Sequence, residues 1–188
     1  MSFLSFDVIL TVFKIIQERG SIRKYKDTPI PSNDLQIILE AARLAQSAAN
    51  QQPWQFIVVT DKAILEKLVQ AAHWPDRPPQ SSVRTAPTVI ICLANPETSR
   101  KVGPFDGYLV DLSIAIENMA LTAWELGIGS CWIGAFQEEK VKALLHIPEN
   151  LRVVSLLTLG YVDEQPRLKN RKRLNEIIHY QQYGQRNP

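Results

Sequence analysis

Paired metal ligands are the first thing this sequence lacks. Its 188 residues include three histidines, His73, His146 and His179, and none stands at a ligand spacing from another His or Cys. A phosphate-binding loop with its lysine, a dinucleotide glycine fingerprint and a nucleophile elbow are also missing. "GIGS" at 127–130 is too short to count, and a helix C-cap explains Gly127. The formal net charge is only +2, so no global field favours nucleic acid or an anionic membrane. The longest apolar stretch, 108–126, is broken by Asp111, Glu117 and Glu125, which argues against a membrane span. "MSFLSFDVIL" has neither a basic lead-in nor a small-residue cleavage site, so no secretory signal is expected. Cys92 and Cys131 both lie in apolar runs. They read as buried thiols of a cytoplasmic protein, although one bridge between them is compatible with the sequence. With no side-chain acid–base constellation in view, an enzyme of this sequence needs a cofactor to supply the reactive atoms.

What is present is a globular chain with 45% apolar residues, long enough for one domain with its own core. Val8, Ile9, Val12, Phe13 and Ile16 predict an amphipathic helix over 6–18. After "TPIPSND", Ser32 is expected to cap a second helix running towards Ala45. "QFIVVT" (55–60) reads as a strand, with Asp61 capping a helix over about 62–72. Residues 73–86 carry three prolines and no period, so a loop is expected there. "PTVIICLA" is a strand covered on both faces, and 108–126 is a helix apolar on most of its circumference. Such a helix needs burial all round, which a subunit interface supplies. "SCWIGAF", the helical "EEKVKALLHI" and the strand "RVVSLLTLGYV" follow, and a basic, coreless extension begins at about residue 163. Together these predict one α+β domain over 1–188.

Four segments invite a ligand. "RGSIRKY" (19–25) brackets Ser21 between Arg19 and Arg23, with Gly20 letting the backbone turn, and its guanidinium forks suit a phosphate or carboxylate. "RLKNRKR" (167–173) is a second basic cluster. Taken alone, a solvated basic surface explains either one better. They acquire meaning only where the fold brings both to one anion. In "SAANQQPWQF" (47–56), Asn and Gln offer donors and acceptors suited to the edge of a planar heterocycle. Trp54 anchors that segment whether or not a ligand is present. In "CWIGAF" (131–136), Gly134 lets a ring approach the backbone, and an ordinary buried strand end explains it equally well.

In this order the four segments resemble the nitroreductase-like family of flavin mononucleotide (FMN) enzymes. The likeness extends through "DLSIAIENMALTAWELGIGSCWIGAF" and "LGYVDEQPRLKNRKRLNEIIHY", covering roughly Ile16–Tyr180. It implies a central, mostly antiparallel sheet flanked by helices. It also implies an intertwined homodimer whose C-terminal extension, about 163–188, wraps the partner. Arg19, Gly20, Ser21 and Arg23 would hold the phosphate and ribityl end, joined by Lys169 and by Arg171 or, in its place, Arg173. Ser47, Asn50 and Gln52 would meet the flavin from the opposite subunit. Ile133, Gly134 and Ala135 would lie along the ring, with a backbone amide near the nitrogen that takes the hydride. Gln46 stands where the family often has Pro, and Gly20 where a larger residue is common.

The activity this implies is ping-pong reduction by NADH or NADPH of an electron-poor small molecule, a nitroaromatic, a quinone or similar. No nucleic acid and no membrane take part. Residues 73–86 are the candidate gate over the substrate. Reductive dehalogenation and flavin fragmentation are the alternatives within flavin chemistry. A non-catalytic binder of a phosphorylated ligand or nucleic acid is the alternative outside it.

Overall fold

The structure, a computed structural model, describes residues 6–74, 76, 78–166 and 169–186; of residues 6–10 only the backbone is described. Its centre is a four-stranded, wholly antiparallel sheet in the order β1-β2-β6-β5. The strands are β1 (Trp54–Val59), β2 (Thr88–Ala94), β5 (Ile128–Ile133) and β6 (Arg152–Tyr161). A two-residue pair, β3 (Lys101–Val102) with β4 (Phe105–Asp106), leads into the central helix.

Strand β2 shows why the sheet lies in the middle. Every one of its residues is buried. Val89, Ile91 and Leu93 join one apolar cluster, while Ile90, Cys92 and Ala94 join the other. This is the two-residue period of a strand covered on both faces. One layer is built on α3 (Lys62–Ala71) and α6 (Glu138–Leu145), the other on α2 (Ser32–Arg43) and α5 (Gly107–Glu125). The α+β class and the antiparallel sheet flanked by helices are therefore as expected.

Helix α5 ends at Gly127, whose φ of +74° is the left-handed cap expected from the sequence. Asp61 also caps as expected, accepting the Ile64 N–H at 3.0 Å. Two local expectations are corrected. Ser32 is the first helical residue of α2 rather than its cap; Pro31 holds the cap position and no side chain closes that end. Within 73–86, α4 (Ser81–Thr85) forms, with Ser82 and Val83 buried at its base. Pro75 and Arg77 of that stretch lie outside the described residues.

Burial is incomplete in a single copy. Within one copy, Leu109 and Val110 of α5 are exposed, as are Val12, Phe13 and Ile16 of α1 (Phe6–Glu18). The apolar circumference foreseen for 108–126 is thus only partly covered by its own chain. The C-terminal extension is also coreless, and its short α7 (Leu174–Ile177) leaves Leu174 and Ile177 exposed. No helix among the described residues is long and apolar enough to cross a membrane.

Candidate functional site

The arginine segment lies on the outer edge of the sheet, alongside β5. Ser21 bridges Ser130 in parallel, and the Ile22 N–H donates to the Ser130 carbonyl at 2.9 Å. Ile22 is fully buried there, and β5 leaves it room only because residue 129 is glycine. A Cβ on Gly129 would lie 2.7 Å from Ile22 Cγ1. Further along, Tyr25 sinks into the core, its hydroxyl 2.7 Å from the Ile22 carbonyl and 2.8 Å from Thr158 Oγ1. Burial pushes that phenol far above its ordinary range, with the Thr158 hydrogen bond opposing, so it is a fixed structural neutral.

After β6 the chain turns back along this segment. The Asp163 N–H donates to the Lys24 carbonyl, Lys24 pairs with Asp163 at 2.9 Å, and Pro166 packs against Gly20. The basic extension therefore leaves the sheet beside Arg19–Ser21. Lys169, three residues on, is tethered within about 11 Å of Pro166 by chain length alone. Lys169 and Arg171 are exposed and make no hydrogen bond or ion pair with other described residues. Arg167, the first basic residue of that cluster, lies outside the described residues.

The arginines themselves differ. Arg23 is exposed and holds only the Ser21 carbonyl at 3.2 Å, which leaves most of its fork open. Arg19 is tied at 2.9 Å to Glu117 of α5. Glu164 accepts the Arg23 backbone N–H, so an acid occupies one amide of the segment. Gly20 has no left-handed φ, and a Cβ there would meet Pro166 at an ordinary 3.5 Å. The turn-forming role read for Gly20 from the sequence is therefore not required.

Strand β5 carries the arginine edge towards Ile133, which is buried, and Gly134, which faces open space with nothing near a would-be Cβ. Ala135 follows, half-buried. Cys131, two residues before Ile133, is a free thiol whose ionisation is pushed up by burial, with Arg23 partly opposing. Cys92 is likewise free and fully buried, pushed up to about 12. The single bridge that the sequence allowed is therefore not made.

The amide segment lies at the opposite edge of the sheet, leading into β1. Ala49, Asn50 and Gln52 all have left-handed φ, at 51°, 56° and 48°. Each such residue costs about 1–3 kcal/mol unless its surroundings enforce it. The loop's own bonds do part of that. Ser47 Oγ accepts the Gln52 N–H at 3.0 Å, and Gln52 Nε2 donates to Asn50 Oδ1 at 3.1 Å. This leaves the Ser47 hydroxyl proton, Asn50 Nδ2 and Gln52 Oε1 without partners among the described residues, two donors and one acceptor. Trp54 packs against the core at the loop's end, as the anchor expected.

The structure thus gathers Arg19, Gly20, Ser21, Arg23, Ile133, Gly134 and Ala135 on one edge, with Lys169 and Arg171 tethered nearby. It puts Ser47, Asn50 and Gln52 on the other. Three strand spacings separate the edges, about 14 Å. Two residues outside the sequence candidates also touch it: Glu117 through Arg19, and Asp111 through the amide loop. Their signal was being two of the three acids that interrupt a mostly apolar helix.

A three-layer α+β fold with an arginine-lined edge and an open strand end defines the class of protein to compare. The family model described as "Nitroreductase family" matches residues 16–161. An Archaeoglobus fulgidus protein with the provisional name NADH dehydrogenase/NAD(P)H nitroreductase is 43% identical, the match covering 81% of this chain and 86% of its own. Two solved structures are similar. A nitroreductase family protein from Clostridium novyi has a TM-score of 0.76 at 35% identity, covering 93% of this chain and 95% of its own. An FMN-dependent nitroreductase from Clostridium difficile has a TM-score of 0.79 at 30% identity, covering 91% and 99%. The chain belongs to the nitroreductase family.

Proposed function

We propose that this chain, as a single FMN-binding unit over residues 1–188, is an NAD(P)H-dependent oxidoreductase that binds FMN between two copies of itself. One observation supports this more than any other. The chain folds back through Pro166 onto Gly20, so the second basic cluster sets out from beside the first, along the edge of the strand whose Gly134 end is open. A phosphate at the first place and a flat ring at the second suit FMN. The spare donors and acceptor of the amide loop suit the ring's polar edge. The fit has one adverse feature, Glu164 at the Arg23 amide, which must yield or be outweighed by the surrounding cations.

Bound FMN supplies two-electron transfer, from NADH or NADPH to an electron-poor acceptor in alternation. The chain's residues do the rest. Arg23, Ser21, Lys169 and Arg171 hold the phosphate, with Arg19 held in register by Glu117. Ile133, Gly134 and Ala135 lay a backbone edge along the ring, and no side chain at 134 blocks the approach. Ser47, Asn50 and Gln52 come from the second copy. The exposed Val12, Phe13 and Ile16 of α1, with Leu109 and Val110 of α5, form the apolar surface on which that copy packs. The extension wraps it through Leu174 and Ile177. The reduced thiols suit the cytoplasm. Nitroaromatics and quinones are the acceptor class.

The test is colour. Purified protein, or protein reconstituted with FMN, is expected to be yellow, to bleach with NADH or NADPH, and to recover with an acceptor. A colourless protein that takes up no added FMN contradicts the proposal.

A further inference from the structure

The amide loop is strained, and almost everything that holds it is the loop itself. Hydrogen bonds from Asn50 N to Ser47 O, Gln51 N to Ala48 O, Gln52 N to Ser47 Oγ and Gln52 Nε2 to Asn50 are all internal to residues 47–52. Among the described residues, a single hydrogen bond joins those residues to the rest of the fold. The Ala48 N–H donates to Asp111 Oδ1 at 3.0 Å. Asp111 is 2% exposed, sits on α5 amid the apolar cluster shared with α2, and leaves its Oδ2 buried without a partner. A carboxylate in that setting is costly and contributes little to packing. Its position is explained by what it holds.

We propose that Asp111 is the positioning residue for the cofactor-facing amides, fixing the left-handed loop so that Ser47, Asn50 and Gln52 stay aligned. This rests on the FMN reading above, since that reading gives the amides their target. The chemistry needed is an acceptor for one N–H at a fixed depth. A charged acceptor makes the stronger bond, and a rigid helix supplies the fixed depth. Freed from Asp111, the loop keeps its internal bonds but loses its reference to the sheet. It then samples orientations in which the three side chains do not face one ligand together, and FMN binds only the aligned fraction.

The experiment compares Asp111→Ala and Asp111→Asn with the wild type. FMN dissociation constants come from flavin fluorescence titration, and amide exchange is followed at Ala48 and in β2. Asp111→Ala is expected to weaken FMN binding roughly tenfold or more, the loss of one charge-assisted hydrogen bond. Exchange at Ala48 should accelerate while β2 stays protected. Asp111→Asn retains an acceptor oxygen and is expected to restore binding to within about threefold of wild type. Unchanged FMN affinity in Asp111→Ala overturns the proposal. So does an Asp111→Asn variant as impaired as the alanine, which assigns the residue to general core structure. If the wild type itself binds no FMN, the functional reading fails. The Ala48 exchange then decides separately whether Asp111 sets the loop: faster exchange in Asp111→Ala supports it, and unchanged exchange overturns it.

Discussion

The two edges of the sheet hold the two halves of the proposed site by different means. On the β5 edge, the arginine segment is pinned by backbone bonds from Ile22, Lys26 and Asp163, by the fully buried Ile22, and by the Lys24–Asp163 and Arg19–Glu117 pairs. On the β1 edge, the amide loop carries three left-handed residues and is tied to the fold by one carboxylate. The difference suits what each half must do. An anion is held well by any rigid cluster of cations, whereas a flat polar edge is matched only by donors and acceptors at set positions. The β5 half should therefore tolerate the loss of single contacts, and the β1 half should depend steeply on the one hydrogen bond that ties residues 47–52 to the rest of the described fold.

The largest effect that sharpens this contrast comes from two glycines near opposite ends of the β5 edge. A Cβ added at Gly134 has nothing within 4 Å beyond its chain neighbours, so Gly134→Val projects into open space. It is expected to lower FMN affinity at least a hundredfold, roughly 2.7 kcal/mol, with the melting temperature unchanged. Gly129→Ala should do the reverse, destabilising the fold by about 1–3 kcal/mol as its Cβ strikes Ile22 and Val162. Titration calorimetry and thermal unfolding of both variants would separate ligand space from packing space. Equal destabilisation by the two would break the distinction.

Next comes the inequality of the arginines. Arg23→Ala removes an open fork and should weaken FMN binding about tenfold. Arg19→Ala removes one already committed to Glu117, and about threefold is expected. Fluorescence titration decides the order, and Arg19 exceeding Arg23 would reverse the assignment.

The smallest effect lies on neither edge. Glu138, at the start of α6, is raised by burial but held below its usual range overall by Arg152, the Val153 N–H and Lys142. Its folded value is depressed, so the stability it contributes is present above the unfolded value near 4.5 and is lost as pH falls through the folded one. Glu138→Gln should cost about 1 kcal/mol at pH 7 and flatten the acid limb of the stability profile. Flavin binding at neutral pH should not change.

Much of this was legible in local patterns. The strand "PTVIICLA" and the 6–18 and 108–126 helices can be read from periodicity, whereas the four candidate segments gained a ligand only through the family resemblance. What was hidden depends on tertiary meetings. Ser32 was read as a cap because Ser is a good one, yet Pro31, already extended at φ −56° and ψ 140°, holds that place. The α4 turn within 73–86 is held by Val83 sinking into the core, which a proline-rich sequence conceals. Gly20 looked like a hinge and is merely a contact for Pro166. Asp111 and Glu117 were visible as charges in an apolar helix, but nothing in the sequence said that one reaches Ala48 and the other Arg19.

The central claim is that each site is assembled from the β5 edge of one copy and the β1 edge of another. Complementation tests it most directly. One chain carries Arg23→Ala with Gly134→Val, the other Ser47→Ala, Asn50→Ala and Gln52→Ala, and each alone is expected to retain almost no FMN. Unfolded and refolded together, they should form mixed dimers in which one site has both halves intact, recovering one FMN per mixed dimer. Mixed dimers that recover none, or a monomer that binds FMN as tightly as wild type, would contradict the shared site.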